Sequence, residues 1–279
     1  MNAPAEGKIA KPLLKWVGGK RQLMPELLKY VPDKINTYFE PFIGGGALFW
    51  ELANQRRFKQ AVISDMNLRL VRTYTAIRDH VENVIGLLKE YPYDKDFFYE
   101  TREKDPDHLG DVGCAAWFIY LNKAGFNGLW RVNKAGKFNV PFGKYTNPTI
   151  CDADNLRACS AALQGVEIIH GDFEAVVGTR WPAGGHAFVY FDSPYIPLNA
   201  TSNFASYTAD GFGDKDQERL MLTAKWLKRS KSCSVLLSNS SAPRVYEIYK
   251  DFEIIEVDAR RNVNSKASKR GAVKELLIR

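Results

Sequence analysis

Three stretches of the chain combine residue types and spacings that could do chemistry. Tyr38-Phe-Glu-Pro-Phe-Ile-Gly-Gly-Gly46 is a strand-like run that breaks into Gly44, Gly45 and Gly46 ahead of a helix start. Glycines at such a junction let a ligand approach the backbone and leave helix N-terminal N–H groups to meet it. Tight packing of helix on strand would ask for the same residues, and the spacing does not fit the phosphate-cradling pattern G-x-x-x-x-G-K-[ST]. The next apolar run ends at Asp65, roughly 20 residues on, where an acid in a nucleotide-binding βαβ unit accepts hydrogen bonds from ribose hydroxyls. Capping of the following helix is a second, compatible role for Asp65. The third stretch, Phe191-Asp192-Ser193-Pro194-Tyr195-Ile196-Pro197, follows another apolar run. A carboxylate, a backbone carbonyl beside a proline and an aromatic plane can together accept two N–H bonds from an exocyclic amine and stack on its ring. That suits a nucleobase amine, although the bare tetrapeptide is also an ordinary turn and only its place after a strand sets it apart.

Such residues need a frame that gathers strand ends. Strand-like runs cover Thr37 to Pro41, Ala61 to Asp65, Val166 to Asp172, His186 to Asp192, Ser232 to Ser238 and Phe252 to Val257, several of them ending in an acid. Helix-period stretches from Gly46 to Arg56, Cys151 to Leu163 and Lys215 to Lys228 lie between them, the pattern of βαβ units on a mostly parallel sheet. The alternation lapses between Asn67 and Thr149, where helices over Leu68 to Leu88 and Val112 to Lys123 lead into an aromatic, glycine-rich, basic loop region. The expected organisation is one α/β domain of residues 1–66 and 150–279 interrupted by an inserted domain of residues 67–149.

Composition sets the outer bounds. A chain of 279 residues with 45% hydrophobic and 25% charged residues is an ordinary globular protein, which excludes a disordered tail or a collagen-like repeat. Its apolar runs are shorter than the roughly 18 residues of a membrane span, and the N-terminal residues lack a secretory h-region, so an intracellular, cytoplasmic protein is expected. Cys114, Cys151, Cys159 and Cys233 form no C-x-x-C pair, and His80, His108, His170 and His186 stand apart from them, so neither a metal site nor a disulfide framework is expected. The 39 Lys and Arg against 32 Asp and Glu leave +7, which favours a polyanionic partner if the excess is clustered. Two clusters stand out. Lys123, Arg131, Lys134, Lys137 and Lys144 sit among Phe126, Trp130, Phe138, Phe142 and Tyr145, a composition suited to phosphates, base edges and wedging into a base stack, or else a solvated loop over an aromatic mini-core. The second, Arg260 to Arg270, carries five cations and no acid.

Taken in order, these motifs resemble the D12 class of Dam-type N6-adenine site-specific DNA methyltransferases, and the resemblance runs from Pro12 to the C-terminus. Lys15-Trp16-Val17-Gly18-Gly19-Lys20 looks like that family's N-terminal cofactor motif, Phe42-Ile-Gly-Gly-Gly46 like its glycine motif and Asp192-Ser193-Pro194-Tyr195 like its catalytic D-P-P-Y. Asn127-Gly-Leu-Trp-Arg131 with Phe138-Asn-Val-Pro-Phe-Gly143, and Arg260 to Arg270 followed by Lys274-Glu-Leu-Leu-Ile278, are further matches. The resemblance implies a doubly wound, Rossmann-like α/β methyltransferase sheet with a helical target-recognition insertion. It also implies S-adenosyl-L-methionine as cofactor, bound by Trp16, Lys20, Gly44, Gly46, Asp65, Asp172 and Asp192, with no metal. The partner would be double-stranded DNA, met by Lys15, Phe126, Asn127, Arg131, Pro141, Tyr145 and Lys266, with Asn127 and Arg131 as readers of G-A-T-C, Phe126 as the intercalating ring and Lys266 in a phosphate-contacting loop.

Two residues depart from the family pattern: Ser193 where many relatives carry proline, and Phe126 where tyrosine is common. The first keeps open a DNA-binding regulator without turnover. An RNA or other amine methyltransferase is the remaining alternative. The sequence leaves oligomeric state open.

Overall fold

The computed structural model describes residues 9–16, 18, 20–182, 184–198, 211–230, 232–260 and 272–279. Among them a seven-stranded sheet runs in the order β3-β2-β1-β4-β5-β7-β6. The strands are β1 (Ile35–Glu40), β2 (Phe58–Asp65), β3 (Glu167–His170), β4 (Ala187–Phe191), β5 (Cys233–Ser240), β6 (Ile254–Arg260) and β7 (Ala272–Ile278). The first five pair in parallel, and β7 enters antiparallel between β5 and β6. Chain order reverses between β1 and β4, so the crevice where an open α/β sheet binds ligands falls at the C-terminal ends of those two strands.

Both sheet faces are covered, which is why the strands read as unbroken apolar runs. Side chains alternate across the pleat. Tyr38, Ile63, Phe188, Tyr190 and Leu236 join one core with α2 (Ala47–Asn54), α3 (Leu68–Glu90) and α6 (Ala153–Leu163). Phe39, Val62, Val189, Phe191 and Val235 join another with α7 (Phe173–Thr179), α8 (Asp214–Lys228) and α9 (Pro243–Ile248). This is the doubly wound α/β architecture expected from the sequence, with α1 (Met24–Leu28) preceding β1.

Residues 67–149 hold α3, α4 (Lys95–Glu103) and α5 (Gly110–Ala124), then an irregular segment with isolated bridges Gly125 to Phe142 and Val132 to Phe138. Asn133 closes the tip of that hairpin: its Oδ1 accepts from the Ala135 and Lys137 N–H groups at 3.0 Å. Of the two readings of the aromatic segment, the mini-core holds for Trp130, Phe138 and Phe142. Trp130 and Phe138 are each 4% exposed, and Trp130 lies 3.9 Å, centroid to centroid, from Phe118 in a cluster with Trp117. Phe142 stacks on Tyr93 at 4.7 Å. Large rings between two flanking helices bury more apolar area against each other than they could against solvent. Phe126, at 46% exposed, is the ring of this set that stays outside.

The strand expected over Val166 to Asp172 ends earlier, at His170, because Asp172 turns the chain and caps α7 by accepting from Glu174 N–H at 3.1 Å. Helices α4, α7 and α9 were not foreseen. They have at most nine residues, too few for a helical period to stand out.

Candidate active site

Everything at the crevice begins with the glycine turn after β1. Gly44 and Gly46 have φ of 43° and 64°, left-handed values that glycine adopts without a Cβ penalty. The missing side chains also make room for Trp16: a Cβ on Gly44 would sit 2.6 Å from the indole Nε1, and one on Gly45 would sit 2.9 Å from Trp16 Cβ. Asp65, at the end of β2, holds this turn. Its Oδ2 accepts from the Gly44 N–H at 3.1 Å and its Oδ1 from the Asn67 N–H at 2.9 Å. The helix cap considered for Asp65 belongs instead to Asn67, whose side chain accepts from Leu70 N–H. Burial pushes the Asp65 carboxyl up, against the pull of those two N–H groups.

Across the switch point, Asp192 leaves β4 and meets Lys20. The ammonium, 3% exposed, lies 2.9 Å from Asp192 Oδ1, donates to Gly18 O at 2.6 Å and sits 4.7 Å from the centroid of the Tyr195 ring. Tyr195 donates its hydroxyl to Glu275 Oε2 on β7 at 2.7 Å, and that carboxylate is 3.9 Å from Lys20. Asp192 keeps 23% of its side chain open to solvent. Loss of water around it raises its carboxyl, Lys20 lowers it and Glu275 raises it again. Below the pair lies Glu40, 2% exposed, which accepts from Tyr38 OH at 2.7 Å and whose carboxyl burial pushes up to about 8.

A match to the D12 class N6 adenine-specific DNA methyltransferase family extends over residues 16–263. The chain belongs to that family. A Type II methyltransferase of Lactococcus lactis subsp. cremoris is 43% identical, covering 100% of this chain and 98% of that protein. A Type II methyltransferase of Methanocaldococcus jannaschii is 39% identical over 96% of this chain and 98% of its own length. The DNA adenine methylase of Escherichia coli strain K12 is 30% identical over 95% and 93%.

The methyltransferase thus gathers Trp16, Lys20, Gly44, Gly46, Asp65 and Asp192 around one switch point, although they come from well-separated parts of the chain. Asp172 lies at the same strand edge, paired with Arg219 at 2.6 Å. A second group forms around Asn122, a fully buried residue of α5. Its Oδ1 accepts from Lys15 N–H at 2.9 Å, while its Nδ2 donates at 2.9 Å to both Lys15 O and Gly128 O. One side chain therefore ties the segment leading to Trp16 and Lys20 to the segment Phe126 to Arg131. Gly128, at φ 64°, makes room for the Lys15 side chain, and Lys15 Nζ lies 4.9 Å from the Tyr145 ring centroid. Phe126 N–H donates to Pro141 O at 2.8 Å, Asn127 is left-handed at φ 56°, and Arg131 Nε donates to Asn139 Oδ1 at 2.7 Å. Lys15, Phe126, Asn127, Arg131, Lys134, Lys137, Pro141 and Lys144 are all exposed. Lys266 lies outside the described residues.

Asn122, Glu275 and Glu40 were not among the residues expected at the site. An asparagine inside Trp117-Phe-Ile-Tyr-Leu-Asn122 was a signal in principle, since a polar residue in a buried helical run needs partners. Among the described residues no three of His, Cys, Asp and Glu come together to hold a metal ion, and no helix is long and apolar enough to cross a membrane.

Proposed function

We propose that this methyltransferase moves a methyl group from S-adenosyl-L-methionine to N6 of an adenine flipped out of double-stranded DNA, with G-A-T-C as its site. The observation that carries the reading is the half-open Asp192 carboxylate, paired with a buried Lys20 and bordered by the Tyr195 ring, beside the Trp16, Gly44 and Asp65 turn.

The residues fit that cofactor. Lys20 spends two of its three N–H donors on Gly18 and Asp192, leaving one for the methionine carboxylate. Asp65 has lone pairs beyond the two its backbone partners use, suited to ribose hydroxyls. Trp16 over Gly44 and Gly45 offers an apolar wall, and Asp172 borders the edge where the cofactor's ring would lie. When bound, S-adenosyl-L-methionine supplies a sulfonium methyl that is already a strong electrophile.

What remains for the protein is positioning. Adenine N6 is a poor nucleophile because its lone pair is delocalised into the ring. Asp192 and the main-chain carbonyl of Ser193 accept the two N6 protons, which favours a pyramidal nitrogen with a localised lone pair. Tyr195 stacks on the base, and Pro194 stiffens the turn, holding Ser193 extended. A base inside a duplex cannot reach this edge, so residues 67–149 act as the target-recognition domain against the catalytic domain of residues 1–66 and 150–279. There Lys15, Asn127 and Arg131 read base edges, Phe126 enters the stack, and Pro141, Tyr145 and Lys266 line the duplex. The protein works inside the cell, at DNA.

Transfer of labelled methyl to a G-A-T-C duplex, its single strand and RNA tests the reading. Label on duplex adenine N6, lost when G-A-T-C is scrambled, is expected. Label on RNA alone, or on none of the three, would refute it.

A further inference from the structure

The catalytic turn Asp192 to Ile196 is held from outside by buried amide side chains that none of the roles above uses. Gln217, in the first turns of α8 and 1% exposed, donates from Nε2 to Pro194 O at 2.7 Å. Its Oε1 accepts from Asn239 Nδ2 at 3.1 Å. Asn239, 1% exposed at the end of β5, accepts on Oδ1 from the N–H groups of Ile196 at 3.1 Å and Ser240 at 2.9 Å. Ser240 completes the set by donating its hydroxyl to Ile196 O at 2.5 Å. Pro194 O, Ile196 N and Ile196 O are thus all engaged by side chains from two other elements, away from bulk water.

The consequence lies in what is left between the fixed points. Upstream, Phe191 is locked in β4 opposite Leu237 of β5. Downstream, the amide brace fixes the chain from Pro194 onward. Between them stand Asp192 and Ser193, which carry the two proposed acceptors for the reacting amine. Pro194 restrains Ser193 towards extended conformations, but a serine leaves its own φ free and does not restrain Asp192, as a proline there would. With the brace in place the short span is anchored at both ends. Without it, the backbone of the turn keeps only the Ser240 bond to Ile196 O, and Asp192 and Tyr195 are held through their side chains alone, by Lys20 and Glu275.

We propose that Gln217 and Asn239 are positioning residues for methyl transfer: they hold the Ser193 carbonyl and the Asp192 carboxylate in register, a rigidity that the turn itself supplies poorly with serine at position 193. This rests on the reading of Asp192 to Tyr195 as the catalytic turn. Neither amide touches substrate in this view, so the effect belongs in the chemical step and not in binding.

The test is single-turnover methylation of a G-A-T-C duplex by the full chain as wild type, Gln217→Met, Ser193→Pro, the double variant and Asp192→Ala. Affinities for S-adenosyl-L-methionine and duplex are measured alongside. Gln217→Met keeps length and apolar volume while removing both hydrogen bonds of the amide. It should slow the chemical step about tenfold, the equivalent of one ordinary hydrogen bond's worth of alignment, with both affinities held within about twofold. Ser193→Pro should change the wild-type rate by no more than about two- to fivefold, and should restore a larger factor in the Gln217→Met background, because proline then supplies the missing stiffness. An unchanged rate in Gln217→Met, or the same Ser193→Pro factor in both backgrounds, would overturn the proposal. So would a loss confined to affinity. If Gln217→Met does not fold, Asn239→Asp gives the same comparison, since it keeps the acceptor for Ile196 N–H and loses the donor to Gln217. Asp192→Ala separates the two levels: if it retains wild-type turnover, the catalytic turn has been misplaced, whatever Gln217 shows.

Discussion

Replacing Gly44 by alanine probes the proposed cofactor pocket through its most crowded backbone position. Two effects are combined in that change. At φ 43° any L-residue is strained, at roughly 1–2 kcal/mol. The new Cβ would also lie 2.6 Å from Trp16 Nε1 and 2.7 Å from Cδ1, against an ordinary carbon contact of about 3.5–4.0 Å. The indole must retreat by about 1 Å, or the turn must shift and pull the Gly44 N–H away from Asp65. A hydrogen bond to a charged group is worth about 1.5–3 kcal/mol, so the affinity for S-adenosyl-L-methionine should fall by about 10- to 100-fold. Gly165→Ala is the control. Its φ of 77° brings comparable strain, but nothing lies within 4 Å of the added Cβ, and it stands at the opposite end of the sheet, before β3. Calorimetric titration with the cofactor and urea denaturation of both variants separate the two effects. Both should lose stability through the backbone strain, Gly44→Ala the more because of its contact with Trp16, and Gly44→Ala alone should lose affinity. Cofactor binding by Gly44→Ala within about twofold of wild type, or an equal loss in Gly165→Ala, would refute the placement of the pocket.

Asp65→Ala and Trp16→Ala should each weaken the cofactor in a calorimetric titration run with chelator present, and unchanged affinity in both would remove the pocket. Arg131→Ala should relax preference at one guanine by about 1–3 kcal/mol in competition binding, while Lys266→Ala should weaken all duplexes alike and flatten the salt dependence. Equal losses on cognate and scrambled duplex for Arg131→Ala would make it a phosphate contact. Glu40 carries a pH signature: burial raises its carboxyl from the usual 4.5 to about 8, so the folded state holds a proton that the unfolded chain releases. Its contribution to stability is full below pH 4.5 and is lost as pH rises towards 8, and urea midpoints for Glu40→Gln should lack that part of the slope. Trp130→Ala should cost about 3–5 kcal/mol in urea denaturation, as a buried ring of the aromatic core. Trp130→Phe should cost much less, because the indole Nε1 is buried with no hydrogen-bond partner.

Much of the frame is local and so was legible in the chain. The alternation of Tyr38 with Phe39, or of Phe188 and Tyr190 with Val189 and Phe191, marks strands buried on both faces, and each run could be placed within a few residues. Glycines 44 to 46 marked the junction between strand and helix, and an acid closing each of two strands placed Asp65 and Asp192 at one sheet edge. Neighbouring residues decide such features, through φ and ψ preferences and side-chain period.

What lay beyond reach depends on which distant segments the sheet order brings together. The order β3-β2-β1-β4-β5-β7-β6 brings Glu275 to Tyr195 and Asn239 to Ile196, and the packing of the N-terminal segment on the sheet puts Lys20 against Asp192. No periodicity encodes those pairs. Burial was equally undecided for the aromatic segment: Trp130, Phe138 and Phe126 look alike in sequence, and α5 supplies the rings that take in the first two and leave the third exposed. Residue types and their local spacing are properties of short stretches, whereas partners and exposure are set only when the remaining chain packs around them.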